Sequence, residues 1–308
     1  MTHSELMSQQ EEKRNQLYRL LGRLPSLPNG VNATLVYEEE RESYTLEKLM
    51  LDLNGIERVP AYFLRTKKAV GKAPVILYNH WHGGQYEIGK EEILSGHQGL
   101  QDPAYGNVLT DMGFSVMCID TWAFGERATR TESAIFKEML WRGQVMWGMM
   151  VYDNIRALDY LCLRPDVDSE RIGTMGISMG STMSYWHAAL DRRIKAVIDI
   201  CCLTDFQSLI EENGLDLHGI YYFVPDLLNH FTAAEINALI APRPHLSLAG
   251  NHDKLTPVGG LQKINEELEA AYRAFSAEDA WKLLRYDVGH METADMRQEI
   301  IQFWRKWL

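Results

Sequence analysis

The stretch Arg171-Ile172-Gly173-Thr174-Met175-Gly176-Ile177-Ser178-Met179-Gly180 decides how the rest of the chain is understood. Its first seven residues form a short apolar run, entered from the turn-like segment Asp166–Glu170, and they read as a strand buried on both faces. The last five match G-x-S-x-G, and a helix rich in small residues follows. A serine on a tight strand-to-helix turn exposes its hydroxyl above the sheet edge. Glycines at both flanks remove the Cβ atoms that would collide as strand and helix close on it. The other reading of these residues is an ordinary strand–helix turn with an idle serine.

Outward from this turn, short apolar runs alternate with longer helical ones. Strands are expected at Val75–Tyr78, Ser115–Ile119, Ala196–Ile200, Leu246–Ala249 and Lys282–Tyr286. Helices are expected at Val145–Leu163, Met179–Leu190, Val258–Ala274 and Ala294–Trp307. Upstream, Leu49, Leu51 and Leu53 share one strand face, Asn54-Gly55 follows, and Val59–Leu64 forms a second run, which is a hairpin signal. A hairpin followed by repeated strand–helix units implies an α/β fold, with a mostly parallel sheet covered on both faces and an antiparallel leading edge.

No repeat or low-complexity linker divides the 308 residues, so one domain, 1–308, is expected. Residues 1–30 form a helical leader: Ser8-x-x-Glu11 has capping-box spacing, Leu17, Leu20, Leu21 and Leu24 recur at helical intervals, and Pro25 stops the run. That amphipathic helix needs a surface to cover, on its own domain or on a second subunit, which would make a homo-oligomer. Residues 203–240 are too long for a simple connection and carry Phe206, Tyr221, Tyr222, Phe223 and Phe231, so they read as a cap inserted between two strands.

Composition narrows the partners. With 46% hydrophobic and 24% charged residues the chain is an ordinary globular one rather than a disordered one. A net charge of −11 and the lack of any Lys/Arg-rich arm argue against nucleic acid, whose binding needs clustered cations. Residues 1–14 hold no apolar signal core, and no apolar stretch approaches a membrane span. Cys118, Cys162, Cys201 and Cys202 form neither a CxxC nor a metal spacing. A cytoplasmic protein with no membrane partner is expected.

A serine hydroxyl needs a base oriented by a third group. On a sheet of this kind the acid and the base follow the serine in chain order, each just after a strand. Asp253 leaves the strand Leu246–Ala249, and His290 leaves the strand Lys282–Tyr286. Asp205, after Ala196–Ile200, is a rival acid, and Asp253 could be a plain turn residue before Thr256-Pro257. His187 belongs to the helix after Ser178, His218 and His230 lie in the cap, and His252 sits on the wrong strand end. For the developing oxyanion, Met179 supplies one amide. The loop Asn79-His80-Trp81-His82-Gly83-Gly84 supplies a second, expected at Gly84. Trp81, Trp122, Trp147, Tyr221 and Tyr222 are candidates for a substrate-binding wall. His80-x-His82 has no third ligand nearby in sequence, so no metal and no organic cofactor are expected.

These residues resemble the α/β-hydrolase superfamily, and within it the dienelactone-hydrolase-like and acetyl-xylan-esterase-like carboxylesterases. The resemblance rests on Asn79–Gly84, Asp120–Arg127, Gly176–Gly180, Ile240–Asp253 and Gly289-His290, and runs from about Val31 to the C-terminus. It implies an eight-stranded, mostly parallel sheet and a triad of Ser178, Asp253 and His290, acting on a small-molecule ester through an acyl-enzyme. Dienelactone hydrolases proper use cysteine where this chain has Ser178, which speaks against dienelactone as substrate. A peptidase or amidase on the same triad and a non-catalytic receptor of the same fold are the other readings.

Overall fold

The protein was analysed as a computed structural model that describes residues 2–26 and 30–308; residues 1 and 27–29 of the expected leader lie outside the described residues. Nine strands form one sheet: β1 (Asn32–Glu40), β2 (Tyr44–Asp52), β3 (Val59–Thr66), β4 (Ala73–Asn79), β5 (Ser115–Ile119), β6 (Val167–Ile177), β7 (Ala196–Ile200), β8 (His245–Gly250) and β9 (Trp281–Tyr286). Their order is β1-β2-β3-β5-β4-β6-β7-β8-β9. The pairings β1/β2, β2/β3 and β3/β5 are antiparallel, and every pairing from β5 to β9 is parallel. The antiparallel leading edge and the parallel remainder are therefore as expected.

The strand count is nine rather than eight. The extra strand, β1, is exposed along its whole length, so it carries no buried face and no apolar alternation to betray it. The hairpin β2/β3 pairs Leu49 with Ala61 and Leu51 with Val59, and Leu49, Leu51 and Leu53 are all buried. Its connection is the six-residue loop 53–58 instead of a two-residue Asn-Gly turn. Asn54 is buried there, accepting from the amides of Ile56 and Glu57 and donating to Asp153 Oδ1 at 2.9 Å.

The α-helices are α1 (His3–Arg19), α2 (Glu92–Ser95), α3 (Tyr105–Asp111), α4 (Glu132–Trp141), α5 (Met146–Leu163), α6 (Met179–Leu190), α7 (Phe206–Glu211), α8 (Ala233–Ala238), α9 (Val258–Ala274) and α10 (Ala294–Trp307). Both sheet faces are covered, and two adjacent residues of β6 show it. A Cβ on Gly173 would strike Trp304 of α10, whereas Thr174, on the opposite face, joins a network through Asn79 to Ser184 of α6.

The leader helix α1 starts earlier than expected. Thr2 is its N-cap and Glu5 completes the capping box, with Ser8 and Glu11 inside the helix. It ends at Arg19 with Leu20 as C-cap, well before Pro25. Leu17 and Leu21 are fully buried, and the guanidinium of Arg14 donates to the carbonyls of Ala189 and Leu239. The apolar face of the leader thus covers its own chain, the first of the two surfaces expected for it. No helix among the described residues is long and apolar enough to cross a membrane.

Candidate active site

The turn between β6 and α6 is strained at its serine. Ser178 has φ 56° and ψ −118°, a conformation that costs a non-glycine residue on the order of 1–3 kcal/mol and is retained where the surroundings over-determine it. Those surroundings are visible. The Ser178 amide donates to Ile200 O at 2.8 Å, which ties the turn to the end of β7. A Cβ on Gly176 would lie 2.3 Å from Asn79 O, and one on Gly180 1.9 Å from it, so both glycines let the end of β4 press against the turn.

The base and the acid arrive on loops that leave β8 and β9. Gly250 makes their meeting feasible, because a Cβ there would sit 2.4 Å from the carbonyl oxygens of both Val288 and Gly289. The two loops are also stitched by hydrogen bonds from Asn251 N to Tyr286 O and from His252 N to Val288 O. The result is a 2.7 Å contact between His290 Nδ1 and Asp253 Oδ2, while Asp253 Oδ1 accepts from the Leu255 amide at 2.9 Å. A carboxylate only accepts, so Nδ1 carries the ring proton and Nε2 holds the lone pair. His290 Nε2 is buried and has no hydrogen-bond partner among the described residues.

Ser178, Met179 and His290 line one cavity of about 230 Å³, together with Trp81, His82, Gly83, Gly84, Tyr221 and Tyr222. The segment between β7 and β8 adds Leu217, His218, Gly219, Tyr221 and Tyr222 to its lining. A larger hollow of about 300 Å³ is lined by residues of the same segment and shares only Tyr222 with the first, so it contains none of the reactive groups.

The loop after β4 is anchored from below. Tyr78 donates to Glu92 Oε1 at 2.6 Å, and the Trp81 amide donates to Glu92 Oε2 at 3.2 Å. Burial pushes the Glu92 carboxyl up to about 8 even though both hydrogen bonds pull it down. Trp81 in turn packs its ring on His97 and, at 5.4 Å between centroids, on His290.

Several expected roles need correction. The Gly84 amide, expected at the oxyanion, donates to His82 Nδ1 at 3.0 Å and is already engaged. The His82 and Gly83 amides of the same loop donate to no acceptor within the described residues, and the Met179 amide is at the free N-terminus of α6. Trp122 does not reach the cavity; it is buried under the Arg127 guanidinium, 4.3 Å from its ring. Trp147 lies behind Tyr221 and Tyr222 and not on the cavity surface. Asp205 is occupied as the N-cap of α7, accepting from Ser208.

The other histidines also separate. His187 is a fully buried core residue of α6, held neutral by desolvation, with a pKa near 4. His230 pairs with Asp226, and His252 is exposed beside Asp287. His218, in contrast, lines the cavity, with Nε2 donating to Leu255 O at 3.2 Å. Sequence reasoning left Thr182 and Cys202 out of the site altogether. Thr182 was legible as the residue one helical turn after Ser178, whereas nothing in the sequence marked Cys202.

Metal chemistry finds little purchase. His80 uses both nitrogens, one toward Trp81 O and one accepting from the Thr121 amide, and His82 likewise uses both. Among the described residues, Cys201, Asp253 and His290 hold donor atoms within 4.8 Å of one another. Two of these already bond each other, and the Cys201 thiol is turned to the Met291 carbonyl at 3.5 Å.

Comparison with known proteins gives the family and the fold. The family model for acetyl xylan esterase (AXE1) matches residues 37–218. A relative described as "Putative hydrolase YtaP", from Bacillus subtilis (strain 168), is 50% identical over 297 residues, covering 96% of this chain and 99% of that one. Among solved structures, a "putative acetyl xylan esterase" from Bacteroides fragilis superposes with a TM-score of 0.74 at 21% identity, covering 93% of this chain and 76% of that one. A glucuronoyl esterase from Solibacter usitatus gives 0.68 at 14% identity, covering 96% and 91%. At these identities the structural likeness is one of fold. The family match bears out the acetyl-xylan-esterase-like part of the resemblance. The chain belongs to the acetyl xylan esterase family and is a carboxylic ester hydrolase with the α/β-hydrolase fold.

Proposed function

We propose that the protein hydrolyses carboxylic esters of small to medium substrates with Ser178 as nucleophile, His290 as base and Asp253 as its orienting acid. The observation that carries this reading is the 2.7 Å Asp253–His290 contact, which leaves a lone pair on His290 Nε2 in the cavity that Ser178 lines. His290 Nε2 takes the Ser178 proton as Oγ attacks the carbonyl carbon. The Met179 amide and a free amide of the loop 82–83 hold the oxyanion. Collapse of the intermediate expels the alcohol, which receives the proton from His290, and water then releases the acid by the same base. A cavity of about 230 Å³ suits a short acyl group such as acetyl, and the family adds acetylated carbohydrate as the natural class to try first. No step in this mechanism requires a metal or a cofactor.

The test combines a fluorophosphonate probe with short-chain nitrophenyl esters. Ser178 should be the labelled residue, and Ser178→Ala should lose both labelling and turnover. Folded protein that resists the probe would sink the serine mechanism. We also propose a cytoplasmic location, consistent with four cysteines that are all free thiols.

A further inference from the structure

His82 and Tyr221 stand in a relation that hydrogen-bond accounting resolves fully. His82 Nδ1 receives the Gly84 amide, and a backbone N–H can only donate, so Nδ1 carries a lone pair and no proton. In the neutral ring the proton is then on Nε2, which faces the Tyr221 hydroxyl at 3.0 Å. Burial and the neighbouring His80 and His97 hold His82 neutral, with a pKa near 4. Nε2–H therefore donates and the Tyr221 oxygen accepts. Among the described residues that hydroxyl makes no other hydrogen bond, so its own proton is left without an acceptor there.

The position of the ring gives this free proton a direction in function. Tyr221 is buried and lines the same cavity as Ser178, Met179 and His290. It is clamped by rings on several sides: Phe124 at 5.7 Å, Trp147 at 6.2 Å and His82 at 6.0 Å between centroids. A hydroxyl that accepts a hydrogen bond becomes a stronger donor through its own proton, because successive bonds polarise one another. A stiffly held, polarised donor in a dry site stabilises developing negative charge most, and a neutral ground state least.

We infer that the Tyr221 hydroxyl is a third oxyanion donor, a catalytic side chain from the cap insertion that supplements the Met179 amide and the loop 82–83. The inference rests on the serine-ester reading above and deepens it. It also assigns the cap a chemical part in the reaction, beyond that of a wall, and makes His82 the positioning residue that aims and polarises Tyr221.

The experiment is a steady-state comparison of wild type and Tyr221→Phe on nitrophenyl acetate, with thermal melting and fluorophosphonate labelling alongside. Phenylalanine keeps the ring and removes only the donor. The expected result is a fall in kcat of about 10²-fold with KM nearly unchanged, an unshifted melting midpoint, and Ser178 still labelled at completion. A kcat/KM within twofold of wild type, or a loss confined to KM, would overturn the assignment. Should Tyr221→Phe melt much earlier, the same split is read from His82→Leu, which removes the N–H that polarises Tyr221; an unchanged kcat there also overturns it. Absence of labelling in wild type is a different failure, since it would remove the serine mechanism itself and Tyr221's role with it.

Discussion

His290 points Nδ1 at Asp253 Oδ2 across 2.7 Å, and the other oxygen of the same carboxylate is held by the Leu255 amide at 2.9 Å. This double engagement fixes what an amide would do in its place. In Asp253→Asn the amide oxygen stays with the Leu255 N–H, which turns the NH₂ toward His290 Nδ1 and moves the ring proton to Nε2. The base is then blocked by its own proton. The expected outcome is a loss of kcat of about 10⁴-fold with little change in KM or melting midpoint, read from ester hydrolysis and thermal unfolding.

Gly180 is expected to resist even a single added carbon. A Cβ there would meet Asn79 O at 1.9 Å and Asn79 C at 2.8 Å, both backbone, so α6 must shift away from β4 and carry Met179 with it. Gly180→Ala should cost about 1–3 kcal/mol or more in stability and most of the activity. Gly259, in α9 with nothing within 4 Å of its would-be Cβ, is the matched control. Gly259→Ala should raise stability by up to about 1 kcal/mol and leave turnover unchanged. Urea titration of the two variants separates these outcomes.

Glu92 makes stability depend on pH in an unusual direction for a carboxyl. Its folded-state pKa is raised from 4.5 to about 8, so the folded protein holds the proton more tightly than the unfolded chain. The stabilising contribution is fully present below the unfolded pKa and is lost as pH rises toward 8. Glu92→Gln keeps an acceptor for the Trp81 amide, turns its NH₂ toward the Tyr78 oxygen, which can accept, and never ionises. The difference in melting midpoint, variant minus wild type, should grow from pH 5 to pH 8 and then level off. A difference that stays flat over that range would show the carboxyl to be unperturbed.

The leader helix should be worth a core element's share of stability. Leu17 is fully buried where α1 meets the rest of the chain, so Leu17→Ala should cost about 2–5 kcal/mol in a urea titration. Sedimentation of the same variant should show no change in molecular mass, because the helix face is covered by its own chain.

How much could be read in advance depended on burial. Helices α6, α9 and α10 begin and end where apolar spacing placed them, and β5 and β7 do too, because each presents a strong apolar pattern to one core. β1 had no such signature, being exposed on every residue, and its backbone pairs with β2. The capping box fell on the wrong pair because Ser8–Glu11 and Thr2–Glu5 carry the same spacing and only the docked helix distinguishes them. Trp122 and Trp147 were indistinguishable from cavity aromatics in sequence, and packing put both behind the site.

The sequence by itself determined the order of elements and the placement of Ser178, Asp253 and His290 at three strand ends, because local periodicity and turn chemistry act over a few residues. Only the tertiary structure decided which donors are free. The Gly84 amide is spent on His82, the His82 proton is spent on Tyr221, and the Tyr221 proton is left over. The first of these bonds is local, but the second joins residues 139 apart in the chain, and no local pattern encodes it.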